Sequence, residues 1–152
     1  VQGGPHMNTI AAKAICAEEA QTEAFKRYIH QVCFNAREMA EEFIRLGYKV
    51  VTGGTDNHMF LLDFSETHPH ITGKMVQDEL DEYLITVNKN MVPGDKRKPN
   101  EASGIRIGTA AMTTRDWTSS QFAACAREID TILERLEEEA REINNSYNER
   151  SE

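Results

Sequence analysis

A single arginine between two isoleucines is the residue in this sequence best suited to bind a charged ligand. The stretch Ser-Gly-Ile-Arg-Ile-Gly-Thr occupies residues 103–109, after a long polar loop. If the stretch is a strand, alternation directs Ile105 and Ile107 to one face and Arg106 to the other. The glycines let another backbone or a ligand approach closely. A guanidinium fixed on such a strand is suited to bidentate capture of a carboxylate or phosphate.

The same pattern has an ordinary structural explanation. An arginine on the wet face of a strand is commonly a solvated edge residue or half of a structural ion pair. The charged cluster Asp-Lys-Arg-Lys at residues 95–98 is also open to two interpretations. It either steers anions toward Arg106 or is simply a solvated basic loop, which is the commoner case.

The elements that must position Arg106 can be predicted from periodicity and capping residues. Two helices come first, an alanine-rich one over residues 9–20 with Asn8 as N-cap and a longer one over 22–46 that ends at Gly47. The Met and aromatic positions of the longer helix are typical of a face packed on a core. Further along, the sequence predicts strands at 48–52, 58–64, 85–87 and 105–107.

Two more helices complete the prediction. One begins after Thr72 and carries Val76, Leu80, Tyr83 and Leu84 on one side, and the other follows Trp117. Residues 88–103 are predicted to be a long loop. The run of residues 58–64 is apolar on both faces, which places that strand at the centre of a sheet. We therefore expect an α/β fold of the α+β two-layer type: a small, mostly antiparallel sheet covered by helices on one face.

Composition limits the possible functions. A formal net charge of −8 argues against broad nucleic-acid binding, since a basic face is needed to displace counterions from phosphates. No apolar run is long enough to span a membrane, and the sequence shows no export leader. Three widely separated cysteines, at positions 16, 33 and 125, are typical of a reducing compartment, so we expect a cytoplasmic protein. No residues have the spacing of a metal site; residues 68–70, His-Pro-His, are interpreted as a surface turn.

Four motifs give the sequence a family resemblance. They are Val-Gln-Gly-Gly-Pro-His-Met at residues 1–7, Gly-Gly-Thr-Asp-Asn-His at 53–58, Thr-Val-Asn-Lys-Asn at 86–90 and the stretch at 103–109, continued by Ala-Met-Thr-Thr-Arg at 111–115. In order and spacing they resemble the C-terminal part of serine hydroxymethyltransferases. The similarity extends to about Trp117, and four motifs in register are far more specific than any one of them.

The resemblance implies a fold, a reaction and site residues. The fold would be the small C-terminal domain of a fold-type I pyridoxal-phosphate enzyme that interconverts serine and glycine, with one-carbon transfer to tetrahydrofolate. Arg106 would bind the amino-acid carboxylate and Asn90 would lie near the folate pteridine. Gly3 and Gly4 would approach the cofactor phosphate of a neighbouring subunit, which implies a homo-oligomer. Without the resemblance, Asn90 is equally well a turn asparagine and the glycine pair a simple turn.

The resemblance also implies what is missing. The lysine that carries pyridoxal phosphate in the family lies upstream of the glycine-proline stretch, after a run of threonines, and no such run precedes a lysine here. We therefore expect no catalytic residue in this chain and no activity or bound cofactor from the chain alone. Residues 1–21 would connect to an absent large domain, and residues 22–152 would form the small domain.

The sequence departs from the family pattern at several positions, and two other functions fit the same fold. Compared with the family pattern, Ala110 stands in place of a usual proline and Asp116 in place of a usual glycine, and residues 100–102 replace a more apolar run. These differences leave Arg106 in place but affect the expected folate contacts. One rival is a non-catalytic binding or assembly module of the same fold, in which Arg106 holds a structural partner. Another is a different pyridoxal-phosphate enzyme, against which the motifs at 53–58 and 88–90 count.

Overall fold

The computed structural model describes residues 3–149. Five α-helices, four short strands and one 3₁₀ turn follow one another along that part of the chain. In order they are α1 (Met7–Glu19), α2 (Glu23–Arg45), β1 (Lys49–Val50), the 3₁₀ turn (Val51–Gly53), β2 (Met59–Asp63), α3 (Gly73–Glu82), β3 (Asn88–Asn90), β4 (Gly104–Gly108), α4 (Ala110–Thr113) and α5 (Ser119–Glu149).

The four strands form one antiparallel sheet in the order β1-β2-β4-β3. Strand β2 pairs with β1 on one side and with β4 on the other, so the predicted central position of this apolar strand is confirmed. Strand β4 is also internal, between β2 and the short edge strand β3. Arg106 therefore lies on a strand whose backbone is bonded on both sides.

One face of the sheet is covered by helices. Phe60 and Leu62 of β2 and Ile105 and Ile107 of β4 are all buried on that face. Helices α2 and α5 pack on each other and complete the core with buried residues that include Val32, Ala36, Met39, Phe43, Phe122, Ile129, Leu133 and Leu136. The predicted α+β two-layer fold is confirmed, as are the apolar stripes that the sequence indicated for these two helices.

Helix α2 begins and ends as its sequence predicts. The Thr22 hydroxyl accepts a hydrogen bond from the backbone N–H of Phe25 at 3.1 Å, which caps the first turn. At the other end Gly47 has φ +93°, a conformation that glycine adopts without steric cost. The N–H of Tyr48 bonds to the carbonyl of Phe43 at 2.9 Å and that of Gly47 to Ile44 at 3.0 Å, which closes a Schellman motif.

Several element boundaries differ from the prediction. Helix α1 begins at Met7 with His6 at the N-cap, not after Asn8, and helix α4 was not predicted. Helix α3 ends at Glu82, so Tyr83 and Leu84 lie beyond it, and Leu84 is almost fully exposed. The strand predicted at 85–87 was wrong by three residues: Val87 is buried against the core, and pairing starts only at Asn88.

Helix α1 has no buried residue. Its apolar side chains Met7, Ile10 and Ile15 are each about half to two-thirds exposed. The broad apolar character that its sequence indicated is therefore not used for packing within the described residues. The division of the chain at residue 21 agrees with this exposure but remains a prediction.

A buried polar network joins α2 to the segment after β4. Asn35 is fully buried, and its Nδ2 donates to the Thr113 hydroxyl at 2.9 Å and to the Trp117 carbonyl at 3.3 Å. The Thr109 hydroxyl in turn donates to the Val32 carbonyl at 2.9 Å. Because these groups are shielded from water, each bond that is lost leaves an unsatisfied polar atom. The network fixes the end of β4 against α2.

We predict that Asn35→Ala lowers the free energy of unfolding of this chain by about 1–3 kcal/mol, the usual cost of leaving buried polar partners unsatisfied. Urea unfolding followed by circular dichroism measures the change. Asn100→Ala, at an exposed loop position, is the matched control and should change stability by less than about 0.5 kcal/mol. Equal stabilities of the Asn35 and Asn100 variants would contradict the role given to the network.

A second prediction concerns the stability of the fold at acid pH, which depends on Asp63. Asp63 is buried, and its carboxylate accepts bonds from the Ser65 N–H at 3.0 Å, the Ser65 hydroxyl at 2.6 Å and Lys49 Nζ at 2.9 Å. Burial by itself would raise the pKa of Asp63, but the bonds from Ser65 and Lys49 outweigh it and lower the pKa. A carboxyl whose pKa is lower in the native than in the unfolded state stabilises the fold above its ordinary pKa of about 3.9.

This contribution is lost as the pH falls from about 3.9 through the lower native value. We therefore expect Asp63→Asn to be less stable than the wild type at pH 7, with the difference shrinking below about pH 4. Unfolding free energies measured from pH 7 to pH 3 test this. A stability difference that stays constant across that range would show that the ionised form of Asp63 is not what stabilises the fold.

Candidate functional site

The open face of the sheet carries the polar residues of the site. In the antiparallel register, Arg106 lies opposite Leu61 of β2 on one side and Asn88 of β3 on the other. Side chains of directly paired residues project from the same face, so Arg106, Asn88 and Leu61 share the face away from α2 and α5. Asn90 is two residues from Asn88 and belongs to this face too.

Arg106 is exposed between two buried isoleucines. The burial pattern of β4 follows the predicted alternation, with Ile105 and Ile107 in the core and Arg106 outside it. Within residues 3–149 its guanidinium forms no hydrogen bond or ion pair with another side chain. The ion pair that would explain Arg106 structurally is therefore not observed in the described part of the chain. Its charge faces solvent, with its donors free.

Of the two glycines around Arg106, only Gly104 shows the close approach predicted for them. A Cβ added to Gly104 would collide with the Leu62 carbonyl oxygen and would lie 2.6 Å from Val92 Cγ1. A Cβ on Gly73 would lie 2.5 Å from the Gly104 carbonyl oxygen. The close neighbour of Gly104 is thus protein, whereas Gly108, on the exposed end of β4, has no atom closer than 3.7 Å to such a Cβ.

Two open depressions meet at Arg106. One, of about 480 Å³, lies between the sheet and the loop after β1, and both Asn90 and Arg106 line it. The other, of about 560 Å³, extends from Arg106 toward Asn88, Gly108 and Ala110. Either is large enough for an amino acid or one ring system of a larger ligand. Arg106 and Asn90, predicted separately from two motifs, are therefore brought together, and Asn88 joins them.

The loop formed by residues 53–58 makes one wall of the first depression. It is held in shape by its own side chains: the Thr55 hydroxyl donates to the Met59 carbonyl at 2.6 Å, and Asn57 Oδ1 accepts from the Met59 N–H at 3.0 Å. Gly53 and Gly54 both have positive φ, which explains the glycine pair at this turn. His58 contributes its carbonyl oxygen, which accepts from the Thr109 N–H at 3.0 Å.

Asn90 has one side of its amide engaged. Its Nδ2 donates to the Met91 carbonyl at 2.9 Å, and no donor within the described residues bonds to its Oδ1. Residues 88–90 form β3, so the alternative in which they make a turn is wrong. An amide whose oxygen is unpaired beside an open depression can accept a hydrogen bond from a ligand.

The long loop after Asn90 is ordered by its own charged residues. The Asp95 carboxylate accepts four hydrogen bonds from Val92, Arg97 and Ser103. The Arg97 guanidinium donates to the carbonyls of Ile71 and Pro69, the latter at 2.6 Å. Two of the four residues in the charged cluster therefore bond within the protein. Arg97 is therefore not available to steer anions toward Arg106. The basic residues of the cluster that could still do so are Lys96 and Lys98, which are both exposed.

Gly3 and Gly4 do not join this site. Both are exposed and precede α1, and neither lines the two depressions at Arg106. A Cβ added to either would meet no described atom within 4 Å. Packing within the described residues therefore gives no reason for glycine at these positions.

The surface turn that the sequence indicated for residues 68–70 is confirmed for Pro69 and His70, which are exposed in a turn, but not for His68. His68 is buried, stacks on the Tyr48 ring with centroids 5.3 Å apart, and its Nε2 lies 3.4 Å from Glu134 Oε1. His70 instead bonds to Glu137. Both imidazoles thus help to attach α5 to the loop before α3. Among residues 3–149, no three His, Cys, Asp or Glu side chains are arranged to hold a metal ion.

Sequence reasoning missed Asn88 and Asp95. Asn88 would have followed from alternation with Asn90, but the strand was placed three residues too early. The sequence marks Asp95 only as part of a charged cluster, because its bonds to Ser103 span a long loop and have no local signal. No helix in the part of the chain that the structure describes is long and apolar enough to cross a bilayer.

Comparison with known proteins shows the family of the chain. The family model of serine hydroxymethyltransferase matches residues 1–129. The chain is 44% identical over 140 residues to the serine hydroxymethyltransferase of Onion yellows phytoplasma (strain OY-M), an alignment that covers 92% of this chain and 34% of that relative. The chain thus spans about a third of the length of the curated relative it matches. It belongs to the serine hydroxymethyltransferase family.

Proposed function

We propose that this chain is the C-terminal part of a serine hydroxymethyltransferase and supplies the side of the active site that binds the amino-acid carboxylate and the folate. The observation that carries the proposal is Arg106, an exposed arginine without an ion pair in the described residues, fixed between two buried isoleucines and open to both depressions. The family membership of the chain suggests the ligand of Arg106, because serine and glycine both carry a carboxylate next to the reacting carbon.

Arg106 acts by orientation as well as by affinity. A planar guanidinium can donate two parallel hydrogen bonds to one carboxylate, each worth roughly 1.5–3 kcal/mol when the partner is charged. Two bonds fix the plane of the carboxylate and so limit rotation of the Cα substituents. Because β4 is paired on both sides, the Cα of Arg106 cannot shift without disturbing β2 and β3.

Asn90 is proposed to contact the folate. Asn90 lines the depression that Arg106 also lines, and its Oδ1 accepts no hydrogen bond within the described residues, which leaves an acceptor for the N–H groups of a pterin ring. The depression of about 480 Å³ is large enough for such a ring, and the one of about 560 Å³ leaves room for the amino acid. The changes at residues 100–102 lie at the far end of the loop that follows Asn90, shortly before Gly104, which pairs with Asn90.

The binding site for the cofactor is proposed to be completed by residues outside this chain. Pyridoxal phosphate, when bound, supplies the electron sink for bond cleavage at Cα. Gly3 and Gly4 are proposed to let a phosphate of a neighbouring subunit approach the backbone, which agrees with the open space around both. The chain has no lysine in the family's cofactor context, so we propose that residues 1–21 lead from a large domain, that the working protein is a homo-oligomer, and that the chain alone is inactive.

The site of action is proposed to be the cytoplasm. All three cysteines are free thiols, with Cys16 exposed and Cys33 and Cys125 partly buried. Burial raises the pKa of the Cys125 thiol to about 11, so it stays protonated and unreactive at neutral pH. Free thiols are maintained where the compartment is reducing.

The Arg106→Lys variant of the longer protein encoded with this chain tests the proposal. Lysine keeps the charge but loses the planar fork, so we expect KM for serine to rise by about tenfold or more, the cost of one charge-assisted bond. Serine-dependent methylene-tetrahydrofolate formation measures it. Arg141→Lys, an exposed arginine on α5, is the matched control and should leave KM unchanged.

An unchanged serine KM in Arg106→Lys would show that Arg106 does not bind the substrate carboxylate. A gene in which an unrelated domain precedes this chain, and a longer protein without serine–glycine exchange, would favour the alternative of a non-catalytic binding module.

Asn90→Ala gives an independent test of the folate contact. Removal of the Oδ1 acceptor should raise KM for tetrahydrofolate about three- to tenfold, the loss of one hydrogen bond, while serine binding changes little. Initial rates at saturating serine and varied folate measure the effect. Asn144→Ala, at an exposed position of α5, serves as control. Equal folate KM values in wild type and Asn90→Ala would place the pteridine elsewhere.

A further inference from the structure

Asp95 lies where the β3–β4 hairpin opens. Strand β3 ends at Asn90 and β4 begins at Gly104, and these two residues face each other in the register. The intervening residues 91–103 form a loop with no regular secondary structure beyond turns. A connection of this length gives little help in holding the strand ends together, because its closure entropy must be offset by contacts made inside the loop.

The Asp95 carboxylate supplies those contacts across the hairpin. Its Oδ2 accepts from the Val92 N–H at 3.3 Å and the Ser103 N–H at 2.9 Å, and its Oδ1 accepts from the Arg97 N–H at 2.9 Å and the Ser103 hydroxyl at 2.7 Å. Val92 is two residues after Asn90, and Ser103 directly precedes Gly104. One side chain thus joins the two chain ends that leave the hairpin.

Packing reinforces the same closure. Val92 is buried, and its Cγ1 lies against Gly104, where a Cβ would not fit. Partial burial would raise the pKa of Asp95, but the Ser103 hydroxyl and three backbone N–H groups outweigh it and lower the pKa, so the acceptor is ionised at neutral pH. Bonds from backbone donors to a charged carboxylate are among the stronger hydrogen bonds in proteins.

We infer that Asp95 is a positioning residue, whose carboxylate closes the β3–β4 loop and thereby holds Asn90 at the folate side of the site. This inference rests on the proposed function of Asn90. It also predicts an asymmetry between the two ligands. Asn90 is the last residue of an edge strand beside the loop, whereas Arg106 lies mid-strand with paired neighbours on both sides. Opening the loop should therefore disturb Asn90 far more than Arg106.

Asp95→Asn is the most informative variant. It keeps the shape of the side chain but replaces one oxygen by an NH₂ group. If that group takes the place of Oδ2, it faces two backbone N–H donors, and if it takes the place of Oδ1, it faces the N–H of Arg97. Either orientation sets donor against donor. Asp81→Asn, at an exposed position of α3, is the matched control.

The experiment measures loop opening and ligand binding separately in the longer protein. Limited trypsin digestion with mass spectrometry reports cleavage after Lys96 and Arg97, which needs an opened loop, and steady-state kinetics report KM for tetrahydrofolate and for serine. We expect Asp95→Asn to be cut at these sites at least fivefold faster than Asp81→Asn. We also expect its folate KM to rise about tenfold, with serine KM and kcat within about twofold of the wild type.

The outcomes distinguish closure of the loop by Asp95 from positioning of Asn90 by that closure. Equal cleavage of the two variants would show that Asp95 does not close the loop. Faster cleavage with equal changes in folate and serine KM, or with no change in either, would show that the closure does not position Asn90. If the wild type lacks folate-dependent activity, the proposed function fails and the positioning role fails with it, even if cleavage is faster. Should Asp95→Asn not fold, Ser103→Ala, which removes one of the four bonds, must show the same asymmetry in smaller form.

Discussion

The whole arrangement depends on the backbone pairing of β4 with strands on both its sides. Because side chains alternate along a strand, this pairing commits Ile105 and Ile107 to the core and leaves Arg106 on the opposite face. A shift of one residue would bury the guanidinium and expose both isoleucines, which the core could not tolerate. Hydrophobic burial therefore determines where the positive charge is presented, since the charge itself forms no ion pair within the described residues.

The polar interactions around β4 hold the surrounding chain to this strand. The Asn35 network fixes the segment that follows it, the loop of residues 53–58 closes on itself beside it, and Asp95 joins the ends of the hairpin that precedes it. None of these groups uses the donors of Arg106 or the Oδ1 of Asn90. These polar contacts are thus made without the two residues proposed to meet ligands, which leaves both available.

Some of this could be predicted from the sequence and some could not. The helices α2 and α5, the central position of β2 and the alternation in β4 follow from long or strongly patterned apolar spacing, for which periodicity is a dependable signal. Strand β3 could not be placed, because its residues are polar and its position depends on pairing with β4 rather than on its own composition. For the same reason Asn88 was missed, although it lies directly opposite Arg106.

The burial of His68 and the role of Asp95 were also beyond sequence reasoning, since each depends on contacts with residues distant along the chain or across a long loop. The motifs that gave the family resemblance, in contrast, singled out Arg106 and Asn90, and the register then places the two on one face. What they could not supply is the geometry that makes the two residues neighbours.

The central claim is that Arg106 receives the substrate carboxylate, and a crystal structure of the longer protein with bound glycine tests it most directly. The account predicts that both carboxylate oxygens lie about 2.7–2.9 Å from guanidinium nitrogens of Arg106, in one plane with them. A structure in which the carboxylate is held by other residues, while Arg106 is paired with an acidic side chain of the protein, would contradict it.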